Sequence, residues 1–214
     1  MDPISVWQTY SYIAKSNLKR NVLPHLLLAL LFVLFAPVLF GISYLDATAA
    51  AIRLERFIAL IGIVLLVPIF MPEQHKDIRD LTETKPVSQT GIFLVRLATS
   101  ALLTLAIIAG FAWAMALNGS EFPLVRYTLG TFCGALFLGA LGLFAHGIGH
   151  TPVIGYMIPL IYYVLNIGGD KYVGKLYLFS MSRGSFGEKY TLLGAAVMLV
   201  SATCIIRTVI RRIR

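Results

Sequence analysis

The length of its apolar runs constrains this chain more than any other feature. Six of them follow one another, at about residues 22–45, 54–71, 91–117, 124–145, 152–168 and 190–206. Each is near the roughly 20 residues that a helix needs to cross a hydrocarbon core. Hydrophobic residues make up 58% of the sequence and charged residues only 13%, with a mean hydropathy of +0.81. A water-soluble domain of this size needs far more charge to cover its surface. The expected fold is therefore an all-α polytopic membrane protein, with residues 1–214 forming a single transmembrane domain. The net charge of +8 would suggest nucleic acid as a partner for a soluble protein. Here the basic residues lie mainly at span ends, where they set orientation and meet anionic lipid headgroups, so membrane lipids are expected as partners and nucleic acid is not.

Ahead of the first span, residues 3–20 carry Ile4, Trp7, Tyr10, Ala14 and Leu18 on one helical face and Gln8, Lys15 and Lys19 on the other. A Trp-anchored apolar stripe beside lysines predicts an interfacial helix lying on the membrane. An amphipathic helix packed on protein fits the same pattern. The region lacks the early basic segment of a cleavable signal peptide.

Lys and Arg positions set the orientation. With the N-terminus inside, the first helix, the 72–96 region and the tail hold eleven of the eighteen basic residues. The first two outer loops hold three and the last outer loop four. Both termini are thus expected in the cytoplasm, which places the Asn118-Gly119-Ser120 sequon outside. Arg53, Glu55 and Arg56 have to sit at the interface, which leaves the start of span 2 open. Away from span ends almost no ionisable residue is expected within the membrane. His25 and Arg96 lie near cytoplasmic ends, so the usual signature of a proton-coupled carrier or an ion channel is missing.

Between spans 2 and 3 lies the most polar stretch, 72–89. Pro72 and Glu73 suit a helix start and Lys85-Pro86 its end. Glu73, Gln74, His75, Lys76, Asp77, Ile78, Arg79, Asp80 and Leu81 then form a short charged helix, with Ile78 and Leu81 as an apolar pair on one side. Such a helix can enter a partner's groove with its apolar pair while its charged rim sets the register. A hydrated connector would carry similar charge.

A Pro-Glu start, several charged residues, Lys-Pro and a Ser, followed by a span with an early Arg (Arg96), resembles the type-2 exporter permeases of ATP-binding cassette (ABC) transporters. The likeness in layout extends along the whole chain. It implies an N-terminal amphipathic helix, six spans, a coupling helix between spans 2 and 3, and an extracellular re-entrant region at about 169–189. It also implies that Glu73 to Leu81 dock onto a separate ATPase subunit, expected in two copies, with a second permease subunit, identical or homologous, completing the pathway. Spans 1, 2 and 5 would border that pathway, which brings in Tyr156, Tyr162, Tyr163 and Asn166 of span 5. An interfacial aromatic belt accounts equally well for Tyr162 and Tyr163.

The sequence holds no Gly-x-x-x-x-Gly-Lys-Ser/Thr, so no phosphate-binding loop of that kind lies on this chain. ATP and Mg are expected on the partner ATPase, and no cofactor, metal or catalytic residue on this chain. His146 and His150 share the spacing of metal ligands on a helix, but Gly147, Gly149 and Pro152 argue against a continuous helix there. Arg183-Gly184-Ser185-Phe186-Gly187 has a faint likeness to a serine nucleophile turn, without the strand–turn–helix setting one requires. Cys133 and Cys204 sit within apolar runs as small packing residues. Gly130, Gly134, Gly139 and Gly142 in span 4 permit close helix approach, more in keeping with packing inside the subunit than with a dimer seam.

The reading is a permease subunit of an exporter in a bacterial plasma membrane. It would carry an amphipathic peptide, lipid or drug-like substrate. The alternative is a small membrane enzyme or assembly protein with a site at the His146/His150 turn or the 170–189 loop. A purely structural membrane partner is a third class.

Overall fold

The computed structural model describes residues 21–74, 89–149, 151–169, 171 and 173–213. The interfacial segment 3–20, most of the expected coupling helix (75–88) and His150 lie outside them. The described residues are helices and short connections, with no strand among them.

The first helix, α1 (Leu23–Phe40), has Pro24 in its first turn, where a missing N–H costs little, and ends at Gly41 with φ of 65°. α2 (Ala47–Arg56) is capped by Asp46, whose carboxylate accepts from the Ala49 N–H at 3.1 Å. A 3-10 turn (Ile58–Leu60), α3 (Ile61–Leu66) and a 3-10 run (Val67–Gln74) continue the path. Span 2, whose start the sequence leaves open, belongs to a helical run that the Asp46 cap starts at Ala47, and Glu55, expected at the interface, is folded into the interior (1% exposed). α4 (Gln89–Leu117), α5 (Leu124–Gly149), α6 (Pro152–Ile167) and α7 (Gly187–Ile213) follow. α5 runs unbroken through His146 and Gly147 to Gly149, where the glycines argued against a continuous helix.

Among the described residues, five helical runs are long and apolar enough to cross a membrane: Leu23–Phe40, Ala47–Met71, Thr90–Leu117, Leu124–Gly149 and Gly187–Thr208. α6 is apolar too but has only 16 residues. The chain thus has the make-up of an integral membrane protein. The bundle has an upper end, where the 41–46 and 118–123 loops meet, and a lower end, where the Val67–Gln74 run stops.

α5 is the central helix and touches α3, α4, α6 and α7. Its glycines account for that position. A Cβ at Gly139 would lie 2.8 Å from the Gly62 carbonyl oxygen, and one at Gly142 would lie 2.7 Å from that of Gly155. At Gly62 a Cβ would run into the Ala135 backbone. Backbone therefore meets backbone at both faces of α5, which without a strong hydrophobic drive in lipid is how helices gain packing. α1 is peripheral: Ala29 and Ala36 are its only buried residues. Leu27, Leu34, Phe35, Val38 and Leu39 are exposed around the rest of it, a surface suited to lipid and not to water.

The upper loops are tied together. Ser120 Oγ donates to the Ile42 carbonyl at 2.8 Å and accepts from the Leu45 N–H at 3.1 Å. The Tyr44 N–H donates to the Asn118 carbonyl, and that of Glu121 to Leu45. The sequon is thus built into this junction, with the Asn118 amide donating to the Ala114 carbonyl.

Candidate functional site

Sixteen residues of helix are about 24 Å long, against about 30 Å of hydrocarbon. α6 starts at the lower end, where Gly155 packs on His146 and Gly142 of α5. It passes the Phe137 ring with Tyr162, the centroids 5.2 Å apart, and stops there. The chain completes the distance to the upper end without a helix of its own length. Residues 173–186 lie against α5: Leu178 meets Gly134, Met181 meets Gly130, and the Phe186 ring meets Tyr127. Gly134 is ten residues into α5, about 15 Å along it. Leu178, Phe179 and Met181 are at most 1% exposed.

Non-helical backbone buried in a helical bundle needs its polar groups paired within the protein. Side chains from three helices supply the pairing. From α6, Asn166 Oδ1 accepts from the Leu178 N–H at 2.7 Å, and the Tyr162 hydroxyl donates to the Leu176 carbonyl at 2.5 Å. From α2, the Glu55 carboxylate accepts from the N–H groups of Met181 (2.8 Å) and Ser182 (3.1 Å). From α7, Lys189 Nζ donates to the Leu178 carbonyl at 2.5 Å, and Thr191 Oγ1 donates to that of Lys175 at 2.6 Å. Lys189 Nζ and Glu55 Oε1 also form an ion pair at 2.7 Å, with the two side chains 4% and 0% exposed. Both charges are paired and hydrogen-bonded, the condition under which buried charge persists. Two short 3-10 turns, Gly174–Leu176 and Met181–Arg183, take up further backbone groups, and Gly184 (φ 76°) closes the second.

Arginines and aromatic rings rim this core. Arg56 lies 5.5 Å from the Phe179 ring centroid, Arg183 lies 4.6 Å from that of Tyr177, and Arg126 lies 3.9 Å from that of Phe186. Phe179 also meets Tyr163 and Tyr177 edge-on.

A second cluster marks the lower end, where the 72–88 segment begins. Phe70 stacks on Phe93 at 5.1 Å, takes His146 edge-on at 5.7 Å, and has the Arg207 guanidinium 4.2 Å from its centroid. Arg96, itself buried, donates to the Ile69 carbonyl at 3.4 Å. Cationic groups of α4 and α7, with an imidazole of α5, thus surround the last ring of the Ala47–Met71 run.

Against known protein families, characterised proteins and solved structures, the chain matches none.

The residues singled out in the sequence fall in different places. Glu73 and Gln74 end the 3-10 run Val67–Gln74, while His75 to Leu81 lie outside the described residues, as do Ile4, Trp7, Tyr10 and Leu18. Asn166 is fully buried and uses both ends of its amide, the Nδ2 donating to the Tyr162 carbonyl at 2.8 Å. The Tyr163 hydroxyl donates to the Arg56 carbonyl at 2.6 Å, and Tyr156 packs half-buried beside α5. Tyr162, Tyr163 and Asn166 are therefore brought together as supports of the 173–186 segment. His146 is 3% exposed. Among the described residues no group of three His, Cys, Asp or Glu side chains could hold a metal, and Cys133 and Cys204 are free thiols on separate helices. Ser185 donates to the Glu188 carboxylate, its neighbour in the first turn of α7.

Sequence reading missed the Glu55–Lys189 pair, although a signal was present. Glu55 lies at the C-terminal end of α2 and Lys189 in the first turn of α7, each opposed by its own helix dipole. Each charge is thus set against its own helix and gains from an opposite charge nearby, but the sequence does not say which.

Proposed function

We propose that this chain is the membrane-spanning permease subunit of an ABC exporter, crossing the bilayer six times with both termini in the cytoplasm. The observation that carries the reading is the treatment of the fifth of the six proposed crossings. A short α6 is followed by a side-chain-supported segment, 173–186, buried at its centre (177–181), where the family resemblance implies a re-entrant region. The apolar helical layout and the central polar segment support it further.

In this reading the lower end faces the cytoplasm, and Glu73 to Leu81 form the coupling helix. The Phe70 cluster stiffens the point at which that helix joins the bundle, through Arg96, His146 and Arg207. A separate ATPase subunit binds ATP and Mg. Its closure pushes the coupling helix, and the push passes through Phe70 to α4, α5 and α7. The cavity lies between two permease subunits, identical or homologous, and takes an amphipathic peptide, lipid or drug-like cargo. An interfacial helix at 3–20 would steady the subunit on the cytoplasmic leaflet. A bacterial plasma membrane is the proposed location.

The test is purification in mild detergent with soluble proteins retained. A P-loop ATPase co-purifies with the native chain and is lost from the Ile78→Asp, Leu81→Asp double variant, which keeps the same elution profile and melting temperature. Absence of any ATPase from the native preparation, or its retention by the double variant, contradicts the proposal.

A further inference from the structure

We infer that Glu55 and Lys189 act as a polarity-specific latch. They hold residues 173–186 docked between α2 and α7 as one unit, and releasing them opens the upper end of the bundle without unfolding the helices beneath. The two charges come from different helices and converge on the same short stretch of backbone. Glu55 takes the N–H groups of Met181 and Ser182, and Lys189 holds the Leu178 carbonyl. The ion pair between them closes the ring. Breaking it leaves one buried charge and its backbone partners at Leu178, Met181 and Ser182 unmatched at once, so these central contacts are kept or lost together. The packing below does not depend on it: α3, α5 and α6 meet backbone to backbone at Gly62, Gly139, Gly142 and Gly155.

The surrounding backbone gives the latch a direction. An ordinary ion pair survives exchange of its two charges. Here donors face position 55 and an acceptor faces position 189, so a lysine at 55 would meet two N–H groups and a glutamate at 189 would meet a carbonyl. The latch does not depend on the exporter reading, and its failure would leave the ATPase test untouched.

The experiment uses the full chain in liposomes, with Cys133→Ala and Cys204→Ala removing the native thiols. One reporter thiol is introduced by Met181→Cys in the segment and, in a separate protein, one by Ile108→Cys in α4; both positions are at most 1% exposed. A membrane-impermeant maleimide is the probe. With Glu55 and Lys189 intact, both thiols react slowly. Glu55→Gln, or separately Lys189→Met, raises the labelling rate at position 181 roughly tenfold or more and leaves position 108 unchanged. The exchange Glu55→Lys with Lys189→Glu leaves position 181 as reactive as the single variants do. Three results overturn the latch: continued protection at 181 in the single variants, opening of 108 along with 181, or restored protection in the exchange.

Discussion

At the scale of single residues, the bundle depends on positions that carry either no side chain or a charge. Gly62 and Gly110 are both helical glycines with opposite surroundings. A Cβ at Gly62 would strike the Ala135 backbone, whereas one at Gly110 would meet nothing within 4 Å. Gly62→Ala should therefore lower the melting temperature in detergent, by an overpacking cost of about 1–3 kcal/mol. Gly110→Ala should be neutral or stabilising, by up to about 1 kcal/mol of helix propensity. Equal effects from the two would mean that α3 and α5 do not meet as described. The glycines of α5 were legible in the sequence as close-packing positions, because a run of small residues in an apolar helix has few other uses. Which helix they receive was not, since Gly62 and Gly155 look alike until the fold brings them near. Glu55 and Lys189 were hidden for the same reason: each reads as an end-of-span charge, and only the fold turns them into a buried pair.

At the scale of elements, the helices were readable and the path of 173–186 was not. Apolar run length fixed α1, α4, α5 and α7 to within a few residues at most ends, because lipid leaves backbone little alternative to helix. Residues 173–186, by contrast, mix Lys175, Ser180, Ser182, Arg183 and Ser185 among aromatic residues and read as a loop in water. What draws them inward lies elsewhere in the chain, in Asn166, Tyr162, Glu55 and Lys189. Asn166 tests this directly. Asn166→Leu removes the acceptor of the Leu178 N–H, and a buried unpaired N–H costs about 1–3 kcal/mol. The variant should melt earlier in detergent, and Asn166→Asp, which sets a buried carboxylate against the Tyr162 carbonyl in place of the Nδ2 donor, should not rescue it. Leu165→Ala, one residue away on an exposed face, should change the melting temperature least. If Asn166→Leu melts like the native protein, Asn166 does not support the segment.

At the scale of the whole molecule, a central α5 carries glycine-lined seams on more than one face, and α1 stands at the edge with most of its apolar surface exposed. The upper end is closed by polar ties, and the lower end gathers its cations around Phe70, where the most polar segment departs. That asymmetry suits the proposed permease subunit, which would receive force from below and hold a closed face above. It depends on parity. If α6 and residues 173–186 together complete a crossing, the 72–88 segment and the tail share one side of the membrane; if they do not, the tail lies opposite. Single thiols introduced by Lys76→Cys, Glu121→Cys and Arg214→Cys in a cysteine-free background decide the matter when labelled with an impermeant maleimide in sealed vesicles of known orientation. Six crossings predict that positions 76 and 214 label from the same side and position 121 from the other. Labelling of position 214 from the side of position 121 would contradict the account.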